Sequence, residues 1–207
     1  MTLVAADDLA DKDLFEAVQA FVAQHDHPGV GRFRDAMADW GDVHLAVEPH
    51  HRPASDTLRD IAAEAPVHDL VARFARHRLS RKWEQSYTKA DGVVGDEMLA
   101  GYGFAEIVGK WGPFVSERIR SGIGVWGPNI LYPLHRHRAD EIYIVLAGSA
   151  EFTLGEGDSA QVFRRGAGAV VEVVPMTLHG FRTLEEPLAV FYLWQQGDLR
   201  ELSSFAG

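Results

Sequence analysis

Along the first hundred residues the apolar positions recur at helical spacing. Leu14, Val18, Phe21 and Val22, with Phe15 beside them, form a stripe that stops at the turn-forming Asp26-His27-Pro28-Gly29. A shorter stripe carries Phe33, Met37 and Trp40 to a break at Gly41. Leu58, Ile61, Ala62 and Ala65 form a third, and beyond Pro66 a fourth holds Val67, Leu70, Val71 and Phe74. The spacing predicts four helices whose stripes belong to a core. From about Gly101 the texture changes to short segments of β-branched and aromatic residues separated by glycine. Strands are predicted at 102–108, 117–125, 141–146, 151–154, 169–174 and 188–193. With turns such as Leu154-Gly155-Glu156-Gly157-Asp158 between them, they predict an all-β barrel or jelly roll. The expected fold is therefore mainly β, a helical region over residues 1–100 packed on a barrel over residues 101–207. The segment 77–100 has no clear period, and its Trp83 and Tyr87 are expected to pack the helical part against the barrel rather than close one barrel end.

Composition narrows the function more than the fold. A chain of 207 residues has room for one well-buried core or one barrel with a helical attachment. A formal net charge of -10, from 30 acidic against 20 basic residues, argues against a nucleic-acid partner, which needs clustered Lys and Arg. The absence of cysteine excludes disulfides, thiolate ligands and a cysteine nucleophile, so any metal is held by nitrogen and oxygen. No apolar run approaches the roughly 20 residues of a membrane span, and the N-terminus lacks the marks of a secretory signal. A cytoplasmic protein without a membrane partner is the expectation.

The chemistry concentrates in His135-Arg136-His137-Arg138-Ala139-Asp140-Glu141, followed by Gly148 and, later, His179. Three imidazoles and one carboxylate are a ligand set for a divalent first-row transition metal such as zinc, iron or manganese. Side chains alternate along a strand, so His135 and His137 share one face, and Glu141 and Tyr143 share a face of the segment that follows. Arg136 and Arg138 then point the other way, as solvated or paired charges. His44, His50 and His51, accompanied only by Glu48 and interrupted by proline, are expected in a solvated loop rather than at a second metal site. Trp111 and Trp126 stand beside glycines and read as core or turn packing.

The order HxH-x3-E-x6-G, then the strand ending at Pro175, then His179, resembles the two signature motifs of the cupin superfamily over residues 101–196. The pattern departs from them in its turns. Asn129 stands where the first motif has glycine. In Pro175-Met176-Thr177-Leu178-His179 the second motif is one residue short, and Thr183 replaces an asparagine. Within the superfamily, Tyr132-Pro133-Leu134-His135 through Tyr143, with His179 and Trp194, resembles the cupin-type dimethylsulfoniopropionate (DMSP) lyases. The resemblance implies that His135, His137, Glu141 and His179 ligate one divalent metal and that Tyr143 is the catalytic base, with Tyr132 the other phenol near the site. A homodimer follows by analogy with cupins that pair through their sheets.

The implied reaction is chemically coherent with these residues. Cleaving DMSP to acrylate and dimethyl sulfide removes a weakly acidic proton alpha to a carboxylate while a sulfonium leaves from the beta carbon. A metal stabilises the developing enolate charge, and a phenol beside that cation is pushed toward its ionised form. Trp194, Tyr132 and Phe181 offer aromatic faces to the sulfonium, worth roughly 0.5–2 kcal/mol each. A small zwitterionic or carboxylate substrate is the expected partner. Two alternatives use the same ligand set: a non-haem Fe(II) dioxygenase, and a cupin that binds a small carboxylate or sugar without turnover.

Overall fold

In the computed structural model, which describes residues 6–37, 43–64, 66–201 and 203–205, the helical stripes become α1 (Ala6–Gln24), α2 (Pro28–Gly31), α3 (Arg34–Met37), α4 (Pro53–Ala62) and α5 (Asp69–Arg76). Trp40, Gly41 and Ala65 lie outside the described residues. Helix starts have local causes. Pro28 and Pro53 sit in first turns, where a missing N–H is no loss and the fixed φ already suits the helix. His27 and His68 act as N-caps, their Nδ1 atoms accepting from the backbone N–H of Gly29 and Leu70. A short α6 (Asp96–Gly101) leads into the strands.

Two sheets follow. The larger runs in the order β1 (Trp83–Glu84), β2 (Tyr102–Gly109), β4 (Ile119–Trp126), β11 (Leu188–Gln195), β6 (Asp140–Ala147), β9 (Val170–Val173), with β3 (Phe114–Val115) added parallel to β2. The smaller runs β12 (Ser204–Phe205), β5 (Leu131–Arg136), β10 (His179–Thr183), β7 (Ser149–Leu154), β8 (Gln161–Gly166). All six predicted strands are present with shifted ends. β8 left no alternation to read because it is an edge strand with Gln161, Arg164 and Arg165 exposed. Gly148 makes the tight turn from β6 to β7 at φ +73°, where a Cβ would stand 2.0 Å from the Pro187 carbonyl oxygen.

The helices cover the outer face of the larger sheet. Leu14, Val18, Val22, Leu58 and Phe74 are wholly buried there against Ile123, Val125, Ile142, Ile144 and Phe191. The alternate residues of the same strands, among them Tyr143, Val145, Val190 and Tyr192, fill the barrel interior. Both faces of β4, β6 and β11 are thus buried, which explains their near-continuous apolar runs. Each large apolar side chain so buried contributes about 1.5–3 kcal/mol.

Trp83 is fully buried in the helix-facing core, as expected of a packing residue, with its indole N–H donating to the Arg78 carbonyl. Tyr87 differs from the expectation. It closes one end of the barrel interior, its ring 4.6 Å from Phe205 and 5.7 Å from Tyr132, because the chain crosses from one core to the other within the turn after β1. His44, His50 and His51 are each partnered separately, by Asp11, the Trp83 carbonyl and Asp56. Arg32 forks onto Asp140 through Nε and Nη2, both at 2.8 Å, and so ties the helical layer to the strand that carries Glu141. No helix among the described residues is long and apolar enough to cross a membrane.

Candidate metal centre

His135, near the end of β5, and His179, at the start of β10, are direct partners across the smaller sheet, so their rings project from the same face with centroids 4.2 Å apart. His137 follows just after β5, its ring 4.9 Å from that of His179. Arg136 and Arg138, the alternating residues, are exposed. All three imidazoles are buried, and their ligand atoms lie within 4.8 Å of one another. This is the only cluster of three or more metal-ligating side chains among the described residues.

Backbone carbonyls select the tautomers. Nδ1 of His135, His137 and His179 stands 2.8, 3.0 and 2.8 Å from the carbonyl oxygens of Pro133, Ala139 and Thr177. A carbonyl only accepts, so each Nδ1 carries the proton and each Nε2 of a neutral ring presents a lone pair. Glu141 reaches over from the larger sheet, and its Oε2 is 3.0 Å from His137 Nε2 and 3.1 Å from His179 Nε2. His179 Nε2 is buried there without hydrogen-bonding geometry to any partner. Converging lone pairs and a carboxylate repel one another unless a cation lies between them, so this donor set fits a divalent metal ion.

The electrostatics agree. Burial, with His179 adding to it, pulls the His135 imidazole down to about 3, keeping it neutral. Burial alone would raise Glu141, yet positive charge at the His137 and His179 positions pulls it below the usual carboxylate range, the direction a cation held between these groups also gives. The other carboxylate oxygen, Oε1, accepts the indole N–H of Trp194, the residue paired with Glu141 across β6 and β11.

A cavity of about 250 Å³ opens beside this group, with Glu141, Tyr143, Tyr132, Trp194, Tyr192 and Arg120 on its wall. Tyr143 and Tyr132 are both buried, their ring centroids 6.3 Å from His179 and 4.8 Å from His135 respectively. Burial and the neighbouring Glu141 charge push the Tyr143 phenol well above its ordinary value. Phe181 stands off the cavity wall and packs behind both tyrosines, 5.1 Å from Tyr132 and 6.0 Å from Tyr143. Trp194 was expected on the sulfonium. Its N–H is committed to Glu141, its ring lies 4.0 Å from that of His137, and the Arg120 guanidinium sits 4.9 Å from its centre. Sequence reading missed Arg120, Tyr192 and the Trp194–Glu141 bond, none of which has a local pattern. Trp126 lies on the cavity wall, and Trp111 stacks on Arg120 beside it.

The departures in the turns have physical substitutes. Asn129 takes φ +58°, the left-handed region that asparagine tolerates best after glycine. Met176 takes φ +65° in the shortened loop, held by its N–H to the His137 carbonyl. Thr183 uses one hydroxyl twice, accepting from Ile130 N–H and donating to the Gly127 carbonyl, each at 2.7 Å.

A two-sheet barrel with three inward histidines and a carboxylate from the facing sheet defines a cupin. The family profile for dimethylsulfoniopropionate lyase matches residues 32–190, and the chain belongs to that family. Dimethylsulfoniopropionate lyase DddQ of Ruegeria pomeroyi is 37% identical over 93 residues, 45% of this chain and 44% of that protein's length. DddL of Cereibacter sphaeroides is 27% identical over 82% of this chain and 72% of its own. Among solved structures, a chain from the crystal structures of the DMSP lyases RdDddP and RnDddQII superposes with a TM-score of 0.81 at 25% identity, covering 98% of this chain and all of that one.

Proposed function

We propose that this protein is a metal-dependent carbon-sulfur lyase that cleaves DMSP to acrylate and dimethyl sulfide by β-elimination. The observation that carries the reading is the convergence of three Nε2 lone pairs and the Glu141 carboxylate beside a cavity walled by two buried tyrosines. His135, His137, His179 and Glu141 would hold one divalent transition metal. Bound there, it supplies Lewis acidity toward a carboxylate and favours the ionised form of a nearby phenol.

Tyr143 is the base in this reading. It takes the proton from the carbon alpha to the carboxylate, the electron pair forms the acrylate double bond, and dimethyl sulfide departs with the pair of the carbon-sulfur bond. Tyr132, 5.2 Å from Trp126 between ring centroids, lends an aromatic wall to the sulfonium and stands as the second phenol. Burial of the ligands excludes water from their side of the cavity.

The test is to incubate the purified protein with DMSP and zinc, iron or manganese, and to measure dimethyl sulfide in the headspace against acrylate in solution. Equal amounts of both products are expected, and His179→Ala should lose both metal and turnover. Failure to release dimethyl sulfide with any metal would sink the lyase reading. Oxygen consumption by the iron-loaded protein would favour a dioxygenase, since an elimination needs none.

A further inference from the structure

Arg120 belongs to neither the metal group nor the helix-facing core. On β4, Ile119, Ile123 and Val125 face the helices, while Arg120 and Trp126 face the cavity. Between them Gly122 and Gly124 leave that face bare. A Cβ at 122 would stand 2.2 Å from the Ala105 carbonyl oxygen and 2.9 Å from the Tyr192 hydroxyl, and one at 124 would meet the Trp126 ring at 2.6 Å. The glycines make room for a phenol and an indole beside the guanidinium.

Arg120 is only 6% exposed as a residue, and its guanidinium is fixed on several sides. Its Nε donates to Glu106 Oε2 at 2.8 Å and its Nη1 to the Leu199 carbonyl at 3.2 Å. The rings of Trp111 and Trp194 lie 4.5 and 4.9 Å from its carbon, orienting the plane without using a donor. Glu106 is anchored separately, through Oε1, by the N–H groups of Trp111 and Gly112. Nη2 finds no hydrogen-bond partner among the described residues. The Tyr192 hydroxyl, buried on the same cavity wall, likewise has none.

A preorganised cation with a free donor edge, next to an unsatisfied phenol O–H, is the complement of a carboxylate. We infer that Arg120 is a specificity-determining residue that receives one oxygen of the substrate carboxylate, leaving the other toward the metal-ligand group, with Tyr192 as the second donor. The inference rests on the proposed lyase reading only in naming DMSP as the source of that carboxylate. Arg120 also sets the direction of binding. A sulfonium is repelled from the Trp194 face that the guanidinium covers, so the cationic end of a zwitterion turns toward the tyrosines.

The test compares two non-reacting probes, propionate and ethyldimethylsulfonium, by titration calorimetry on metal-loaded protein of equal metal content. Arg120→Met should weaken propionate about tenfold or more, the loss expected for a hydrogen bond to a charged group, and should not weaken the sulfonium probe, which binds as well or more tightly once the repelling charge is gone. Because Arg120→Met strands the buried Glu106 charge, Glu106→Gln combined with Arg120→Met is measured beside it and should show the same selective loss. Unchanged propionate binding in either folded variant, no propionate binding by the parent protein, or equal weakening of both probes would overturn the assignment. Propionate binding that depends on Arg120 in a protein that releases no dimethyl sulfide would keep the carboxylate site and remove the lyase reading alone.

Discussion

The two faces of the larger sheet are made by the same strands and do opposite work. On the outer face Ile123, Ile142, Ile144, Phe191 and Leu193 meet the helices in a largely apolar layer, with Asp140 at the start of β6 paired to Arg32 of the helical side. One residue along each strand, the inner face carries Arg120, Glu141, Tyr143, Tyr192 and Trp194. Apolar packing outside holds the strands at fixed spacing, and that spacing places Glu141 within 3.1 Å of imidazoles belonging to the other sheet. The costly burial of charges inside is therefore supported by the layer outside. Changes on the outer face should cost stability with chemistry intact, and changes on the inner face the reverse.

The largest effect is expected outside. Phe191 is fully buried and meets Phe21 edge-on at 5.5 Å. Phe191→Ala should cost about 3–5 kcal/mol in urea melts, through lost transfer energy and a cavity, while turnover per folded molecule holds. A stable variant with depressed turnover would break the division. Inside, Tyr143→Phe removes only one oxygen. Metal content and melting should persist while DMSP cleavage falls about 10²-fold or more. Near-normal turnover would move the base to Tyr132.

Acid should separate the two faces again. His135 is held at about 3 against an ordinary 6.5. Between those values the unfolded chain binds a proton that the folded chain refuses, so stability falls as pH is lowered through the window. Glu141, also held low, adds a loss of the same sign at its acid end. Metal-free protein should lose about 2 kcal/mol between about pH 7 and about pH 5 from His135 alone. His135→Gln should flatten that slope, whereas Phe191→Ala should lower the whole curve without changing its shape; equal slopes in the parent and His135→Gln proteins would contradict this account. The smallest effect belongs to the turns, which serve neither face. Met176 is half exposed at φ +65°, so Met176→Gly should raise stability by about 0.5–1 kcal/mol, net of the extra chain entropy of glycine. Asn129→Gly should change little, because asparagine already tolerates φ +58°.

What the amino-acid sequence determined by itself was whatever repeats locally. Stripes at Leu14, Val18 and Val22 announced α1, and the apolar runs at 141–146 and 188–193 announced strands buried on both sides. The histidine and glutamate spacing marked the four residues that meet at the cavity, because motif spacing survives even where Met176 and Thr183 replace the usual turn residues. Tertiary structure alone decided the rest. Tyr87 left the helical part for the barrel end, Trp194 became the donor to Glu141, and Arg120 came to lie between Trp111 and Trp194 with Glu106 behind it. The placements of Trp194 and Arg120 depend on the register of β11 against β6 and β4, which pairs Trp194 with Glu141 on one side and Arg120 on the other. Register is a property of two strands brought together by folding, and no single segment carries it.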